Sequence, residues 1–300
     1  MRKDQNLTAY LYLFLTVTFW AGNFIVGKYA SYYDVPPFSL NFYRWFFAWL
    51  ILAPFTIPEI LKKKEYILKN YKIFLVLGVT SITIFNSIVY YSLNFTQVIS
   101  GVLMISTIPV MIMLFSSILN IEKTNIFQII GVIFSFIGVI AIVTKADFEI
   151  LKNLDFNKGD ITMVIAMFSW ALYSTLLKRK TYEISQLSLL QVVITCGLIF
   201  LIPLYFIEHQ IGSRISLDIP FILILSYVVL FPGLASFFLW IKGISLIGTN
   251  RSGVFLHLMP ILSAIMAMFF FNEKFMFYHM LGACFIITGI LLSNKKLKNA

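Results

Sequence analysis

His257 is the side chain best suited to chemistry in this hydrophobic chain. An imidazole titrates near neutral pH, and this one lies within an apolar stretch, one turn before Pro260. It could bind a substrate or carry a proton, and the alternative is a neutral histidine bonded to a neighbouring helix. We predict a substrate-binding and proton-coupling role for His257, and a substrate-binding role for Ser106, which lies 151 residues earlier.

Two groups of aromatic and polar side chains occur at helical spacing. Trp20, Asn23 and Phe24 share one face of a helix because they are three and four residues apart. Trp170 and Tyr173 occupy the equivalent face of a later helix. Aromatic walls with an amide would suit a planar or amphipathic metabolite, and ordinary packing is the alternative. We predict that all five side chains bind substrate.

Three further residues complete the predicted substrate-binding set, namely Asn86, Tyr90 and Trp240, each late in an apolar stretch. Arg44 also lies inside an apolar stretch, and its guanidinium could meet a substrate carboxylate with two hydrogen bonds. A structural role fits its position better, either snorkelling toward the outer interface or bonding to carbonyl groups at a helix end. We therefore leave Arg44 out of the predicted site.

Prolines interrupt two of the apolar stretches. Pro109 and Pro260 each remove an intrahelical hydrogen bond and loosen the turn before them. In a membrane, the freed carbonyl groups must face protein or a water-filled cavity. We predict hinges at both prolines, with a static kink as the alternative.

Acidic side chains are absent from the middle of every predicted span, where a charge costs roughly 2.5–3.5 kcal/mol. Glu122, Asp160 and Glu273 fall at predicted helix ends, where capping explains them. The sequence has no paired nucleophile and base, and no metal motif such as His-Glu-x-x-His. We therefore expect no catalytic residues, no metal and no cofactor.

The composition places these residues in a membrane. The chain is 60% hydrophobic and only 12% charged, with a mean hydropathy of +0.89, whereas soluble domains carry roughly 25% charged residues. Apolar runs long enough to cross a bilayer predict helices near residues 8–28, 38–57, 72–93, 98–118, 125–144, 160–178, 186–207, 220–241, 251–271 and 276–293. The expected fold is an all-α integral membrane protein with ten transmembrane helices.

Basic residues predict the orientation of these helices. Lysine-rich segments such as 62–64 and 178–180 fall on the same side as Arg2 and Lys3, and the opposite side holds fewer basic residues. The positive-inside rule then places both termini in the cytoplasm, in a multi-pass protein of the cell inner membrane. The positive-inside rule thus explains the net charge of +10, and no nucleic-acid partner is expected. The expected partners are the lipid bilayer and a small-molecule substrate. A monomer and a homodimer both remain open.

The sequence repeats itself at about half its length. Trp20 matches Trp170 at a spacing of 150 residues. Other pairs at spacings of 149 to 151 residues are Pro54 and Pro203, Pro109 and Pro260, Gly131 and Gly282, and Gly138 and Gly289. We predict a first repeat over residues 1–145 and a second over 159–294. Five helices in each half is an odd number, so the second repeat is inverted, as in transporters whose site lies at the repeat interface.

The order and spacing of these motifs resemble the drug/metabolite transporter superfamily, specifically its EamA-type permeases. The matching residues are Phe19-Trp20-Ala21-Gly22-Asn23-Phe24 leading to Lys28, Ser169-Trp170-Ala171-Leu172-Tyr173 leading to Lys178, Arg44, Ser106-Thr107-Ile108-Pro109, Leu258-Met259-Pro260, and the Glu-Lys and Gly-x6-Gly patterns at Glu122 to Gly138 and Glu273 to Gly289. The resemblance covers nearly the whole chain. It implies two inverted five-helix repeats around a central cavity lined mainly by the first, third, fourth, sixth, eighth and ninth helices.

The expected function follows from the resemblance to aromatic amino-acid exporters of that family. It is an inner-membrane carrier of a small polar metabolite that exports amino acids by alternating access. Small multidrug antiporters of the superfamily use a glutamate in the first helix, where this chain offers Asn23, so carboxylate-driven antiport is disfavoured. One alternative is an importer of a vitamin, nucleoside or S-adenosylmethionine. Another class, a membrane enzyme or receptor, is disfavoured because no catalytic grouping occurs and a receptor would not need mirrored halves.

Overall fold

The fold is entirely helical over the residues that the computed structural model describes, which are 2–96, 98–152, 157–179, 181–211, 218–271 and 276–295. This result confirms the all-α prediction. Glu273, one of the predicted helix-end carboxylates, lies outside the described residues, as does part of the basic segment 178–180.

The first half of the chain has eight helices in the described ranges. They are α1 (Arg2–Tyr32), α2 (Pro37–Lys62), α3 (Lys64–Lys69), α4 (Tyr71–Leu93), α5 (Val98–Ile105), α6 (Ile108–Ile118), α7 (Ile126–Val143) and α8 (Phe148–Lys152). The predicted span 98–118 is split into α5 and α6 by a turn at Ser106 and Thr107. The sequence did not predict the short helices α3 and α8, and α2 extends beyond its predicted end at residue 57.

The second half has a similar order of elements. They are α9 (Lys158–Leu177), α10 (Gln186–Gln210), α11 (Ile219–Ile247), α12 (Thr249–Gly253), a 3₁₀ segment (Val254–Leu258), α13 (Met259–Phe271) and α14 (Phe277–Ser293). The predicted span 251–271 therefore consists of three pieces, because the 3₁₀ segment separates α12 from α13.

Seven helices in the described part of the chain are long and apolar enough to cross a membrane, judged by length and composition. They are residues Gln5–Gly27 of α1 and the helices α2, α4, α7, α9, α10 and α11. Shorter apolar helices cover Leu103–Ile118 and Phe277–Ser293. The chain is thus a multi-pass membrane protein, and the total of ten transmembrane helices stays a prediction.

Side-chain caps account for two of the acidic residues at helix ends. At the start of α9, Asn157 Oδ1 accepts a hydrogen bond from the Asp160 amide at 3.2 Å, and Asp160 Oδ2 accepts one from the Asn157 amide at 3.0 Å. This reciprocal pair satisfies backbone donors that a helix start leaves free. Glu122 caps a helix of the opposite half, since its carboxylate accepts from the Thr249 amide at 3.1 Å and the Asn250 amide at 3.2 Å.

The helices α2 and α10 cap each other with glutamates. Near the end of α2, the Glu59 carboxylate accepts from the Ser185 amide at 2.8 Å and from the Ser188 hydroxyl at 2.6 Å. Near the end of α10, the Glu208 carboxylate accepts from the Ser39 amide and hydroxyl, both at 2.6 Å. Glu59 and Glu208 are 149 residues apart, and so are Ser39 and Ser188. The two contacts are therefore equivalent under the repeat.

The helices α7 and α14 cross at glycines that repeat between the two halves. A Cβ atom on Gly131 would lie 2.5 Å from the carbonyl oxygen of Gly289. One on Gly138 would lie 2.6 Å from the carbonyl oxygen of Gly282. Because no side chain separates the two backbones, the helices pack closely, as small residues allow in membranes. The glycine spacing in the sequence thus corresponds to a contact between repeats.

The helices α4 and α11 each contain a π-helical stretch at the same place in the repeat. These stretches are Val79–Phe85 and Val229–Ala235, and their starts lie 150 residues apart. A π-helical turn shifts the i to i−4 hydrogen-bond ladder and redirects carbonyl groups. Both stretches lie beside the centre of the molecule, where side chains of other helices bond to their carbonyl oxygens.

Candidate functional site

Two pairs of repeat counterparts, Trp20 with Trp170 and Ser106 with His257, touch each other. The rings of Trp20 and Trp170 pack edge to face, with centroids 5.0 Å apart. His257 Nε2 lies 2.9 Å from the carbonyl oxygen of its counterpart Ser106. Two counterparts can touch only near the axis that relates the two halves. These contacts therefore locate the repeat interface at the centre of the molecule.

A narrow cavity lies at this interface. Its lining residues are Trp20, Asn23, Phe24, Arg44, Phe85, Asn86, Val89, Ile105, Ile108, Trp170, Leu256 and Met259. The free volume is about 20 Å³, comparable to the space that holds one water molecule. The structure therefore shows a closed arrangement, which a metabolite can enter only after the helices move apart.

Arg44 of α2 is the centre of a buried polar cluster beside this cavity. One terminal nitrogen, Nη1, donates to Asn86 Oδ1 at 2.9 Å and to the Tyr90 hydroxyl at 2.8 Å. The Tyr90 hydroxyl in turn donates to Asn23 Oδ1 at 3.0 Å. Arg44 is only 1% exposed, so the expectation that it snorkels toward the interface is wrong. The charge is held inside the helix bundle.

The π-helical stretch of α11 supplies the third partner of this arginine. Nη2 of Arg44 donates to the carbonyl oxygen of Pro232 at 2.9 Å, and the same oxygen accepts from Trp20 Nε1 at 3.1 Å. Arg44 thus bonds to a helix carbonyl group, but this group lies in the middle of α11 and not at the helix end that was predicted. Pro232 joins the polar cluster to the aromatic residues.

An aromatic cluster forms part of the cavity wall. In this aromatic wall, Trp170 packs against Trp20, Phe85 at 4.5 Å between ring centroids, Tyr173 at 5.1 Å and Phe237 at 5.2 Å. Aromatic contacts of this kind contribute about 0.5–1.5 kcal/mol each beyond the burial of their area. Three members of the cluster, Trp20, Phe85 and Trp170, line the cavity.

His257 links the 3₁₀ segment to α7 and to the turn between α5 and α6. It is fully buried in the 3₁₀ segment, with Nδ1 2.5 Å from Ser135 Oγ of α7 and Nε2 2.9 Å from the Ser106 carbonyl oxygen. Because a carbonyl oxygen only accepts, Nε2 carries the hydrogen. In the neutral form, Nδ1 accepts from the Ser135 hydroxyl. In the charged form, Nδ1 donates and that hydroxyl turns to the Gly131 carbonyl oxygen at 2.8 Å. Both protonation states thus keep complete hydrogen bonds.

Helix irregularities precede both predicted hinge prolines. The turn at Ser106 and Thr107 lies just before Pro109, and the 3₁₀ segment ends two residues before Pro260. Their neighbours Ile108 and Met259 line the cavity. The local loosening expected from the two prolines is present, and hinge motion stays a prediction.

The structure brings together half of the predicted substrate-binding residues. Those that line the cavity are Trp20, Asn23, Phe24, Asn86 and Trp170. The other five do not line it: Tyr90 bonds to Asn23 and Arg44, Tyr173 and Trp240 pack on Trp170, and Ser106 and His257 bond to each other. Their role in substrate binding stays a prediction.

Sequence reasoning missed Arg44 as a lining residue, together with the apolar lining residues Phe85, Val89, Ile105, Ile108, Leu256 and Met259. An isolated charge in an apolar stretch was the available signal for Arg44. The apolar residues carry no such signal, because similar side chains occur throughout the chain. In the part of the chain that the structure describes, no group of three or more His, Cys, Asp and Glu residues is suited to a metal ion.

A multi-pass helical membrane protein with a central cavity at the interface of two repeats has the architecture of many transporters. The model of the EamA-like transporter family matches residues 7–144 and 157–295, and the chain belongs to this family. It is 24% identical to the uncharacterized transporter YyaM of Bacillus subtilis (97% of this chain and 94% of the relative). It is 25% identical to an uncharacterized transporter of Archaeoglobus fulgidus (97% and 99%). A solved crystal structure, 16% identical, shares the fold with a TM-score of 0.74 over 97% of this chain and 96% of the other.

Proposed function

We propose that this transporter exports amino acids across the cell inner membrane by alternating access around the cavity between Trp20, Arg44 and Trp170. The supporting observation is that repeat counterparts meet at this cavity, so both halves contribute to its wall. Two inverted halves that exchange conformations would open the same site first to one side of the membrane and then to the other.

The proposed cycle requires the cavity to expand. Its free volume of about 20 Å³ is far below the roughly 300 Å³ at the lower end of small-molecule sites. Motion at Pro109 and Pro260 would separate Ile108 and Met259 from the aromatic wall. We propose that both prolines act as hinges, and that the repeats over residues 1–145 and 159–294 move as the two units.

The proposed orientation places both termini in the cytoplasm, with ten transmembrane helices. It rests on the basic segments near residues 62–72 and 178–180 and the positive-inside rule. This orientation is compatible with a monomer and with a homodimer.

Efflux from proteoliposomes tests the proposed function. The vesicles would contain the full chain and a mixed pool of amino acids, nucleosides and vitamins, and mass spectrometry would identify each species that leaves, with and without a pH gradient. We expect selective loss of aromatic or other neutral amino acids. Retention of every amino acid while a vitamin or nucleoside escapes would contradict the substrate class. Vesicles without protein are the control.

His257→Ala is expected to change the pH dependence of this transport, while the protein still inserts into the membrane. In both protonation states of His257, hydrogen bonds to Ser135 and Ser106 are available. Initial efflux rates would be measured as a function of pH. His209→Ala, at the exposed end of α10, should keep the wild-type profile. An unchanged profile in His257→Ala would reject a coupling role.

A further inference from the structure

We propose that a basic groove at one surface of the membrane, lined by Lys69, Lys72 and Arg179, binds the headgroup phosphate of an anionic phospholipid. This site lies outside the central cavity and goes beyond the proposed export of amino acids. It requires only that the chain spans a membrane, and it is the same for either orientation of the termini.

The basic groove lies where two membrane-spanning helices reach the same surface. The span Tyr71–Leu93 begins beside it, and the span Lys158–Leu177 ends two residues before Arg179. Its lining residues are Lys69, Asn70, Tyr71, Lys72, Ile73 and Arg179. Its free volume of about 460 Å³ is within the range of small-molecule sites, roughly 300–1,000 Å³. Because spans end at the headgroup region of a bilayer, the cations lie at the level of the lipid phosphates.

The positive charge of the basic groove is not compensated by carboxylates in the described part of the chain. No Asp or Glu from these ranges lines the groove, and the one ion pair that they show joins Lys152 to Glu149. The segment 62–72 holds five lysines and one glutamate. Basic clusters at the end of a membrane span attract anionic lipids, and a guanidinium such as that of Arg179 can bind a phosphate with two hydrogen bonds.

Exposed apolar side chains accompany these cations. Tyr71, which lines the groove between Lys69 and Lys72, is 54% exposed, and the neighbouring Leu68 is 69% exposed. Tyrosine is favoured at the headgroup level of a membrane because its ring is amphipathic. A phospholipid offers a phosphate for the cations and acyl chains for the apolar side chains, whereas a free phosphate uses the cations alone. The combination therefore favours a lipid over a soluble anion.

The repeat places a second groove at the opposite surface, since α2 crosses the membrane between Tyr29 and Lys69. Lys69 and Arg179 correspond to Ile219 and Tyr29, both at a spacing of 150 residues. These two counterparts line an apolar groove between α1 and α11, together with Ile25, Val26, Pro220, Leu223, Ile224 and Tyr227. A groove at this place is thus common to both halves, whereas the positive charge belongs to one of them. An anionic headgroup matches the basic groove and not the apolar one.

A headgroup in the basic groove would contact both halves of the chain. Lys69 and Lys72 belong to the first segment that the family model matches, and Arg179 belongs to the second. Beside the groove, Phe74 of α4 packs against Tyr182, which follows α9, with ring centroids 5.8 Å apart. Like charges from the two halves repel each other at this junction, and a phosphate between them offsets the repulsion. A bound lipid therefore stabilises the junction.

Lipid binding to the purified full chain in detergent tests this inference. Native mass spectrometry would count retained lipids during titration with phosphatidylglycerol or phosphatidylcholine of identical acyl chains. We expect the first phosphatidylglycerol to bind at least about tenfold more tightly than the first phosphatidylcholine. Equal affinities would overturn the inference. Glycerol 3-phosphate at the same concentration should not displace the lipid, and if it does, the groove binds a soluble anion and the assignment to a lipid is wrong.

Two double variants locate the binding. Lys69→Gln with Arg179→Gln is expected to weaken phosphatidylglycerol binding about 30-fold and to leave phosphatidylcholine binding unchanged. The control, Lys62→Gln with Lys64→Gln, removes the same charge from the same surface but does not alter the groove lining, so it should weaken binding at most about threefold. Equal losses in the two variants would show general attraction to a charged surface and refute the site.

Folding and transport do not confuse this test. All four substituted side chains are exposed, and substitutions at such positions usually change stability by no more than about 0.5 kcal/mol. A wild-type protein without the preference for phosphatidylglycerol contradicts the inference whether or not the variants fold. Because the titration contains no transported metabolite, that result would leave the proposed export of amino acids standing.

Discussion

Gly131→Ala should destabilise the protein by about 1–3 kcal/mol, the usual cost of forcing an extra methyl group into a packed interior. The added Cβ atom would lie 2.5 Å from the Gly289 carbonyl oxygen and 2.6 Å from the Ser293 amide nitrogen. Both atoms belong to the backbone of α14, so no side chain can rotate away. The helices α7 and α14 must separate, although alanine itself favours helix.

The matched control for this change is Gly101→Ala. There the added Cβ atom would meet side-chain atoms of Phe24 at 3.4 Å and Met163 at 3.5 Å, which are ordinary contacts. We expect this variant to stay within about 0.5 kcal/mol of the wild type. Unfolding of the purified proteins in mild detergent would measure both. Equal stabilities of the two variants would show that α7 and α14 do not pack as closely as described.

Trp170→Ala should have the largest effect on substrate binding. Trp170 lines the cavity and packs against Trp20, Phe85, Tyr173 and Phe237. Removing a buried tryptophan costs about 3–5 kcal/mol of stability, and loss of a central aromatic contact weakens binding about 30-fold. Affinity for the species found by efflux would be measured on the folded variant.

Trp49→Ala separates the loss of stability from the loss of affinity. Trp49 lies on α2, where its Nε1 donates to the Thr195 hydroxyl of α10 at 2.9 Å, and it does not line the cavity. We expect lower stability and wild-type affinity. Trp20→Ala should behave like Trp170→Ala. Wild-type affinity in both cavity variants, with the proteins folded, would refute the aromatic wall.

The repeat pattern was the most informative part of the sequence. It identified Ser106 and His257 as counterparts, and Trp20 and Trp170 likewise, but it could not show that counterparts touch. That contact depends on how the two halves pack, which no local pattern encodes. The repeat also paired the glycines of α7 and α14, and the structure showed that these two helices contact each other at them.

Other features were hidden from the sequence for physical reasons. The π-helical stretches Val79–Phe85 and Val229–Ala235 share no residue pattern, since the first holds Thr and Ser and the second holds Pro232 and Gly233. The burial of Arg44 follows from the packing of α2 against α4 and α11. An isolated charge in the sequence is compatible with both snorkelling and burial, because the sequence does not show this packing. The breaks before Pro109 and Pro260 were expected from proline chemistry alone.

The reciprocal glutamate caps of α2 and α10 have a consequence for the populations of the carrier's two end states. If the halves exchange conformations, the contact of Glu59 with Ser188 takes the place of the contact of Glu208 with Ser39. Their summed free energy is then the same before and after the exchange, so they hold the bundle together without shifting the populations. Arg44 has no repeat counterpart with equivalent contacts. If the free energy of its contacts differs between the two end states, the whole of that difference shifts the two populations.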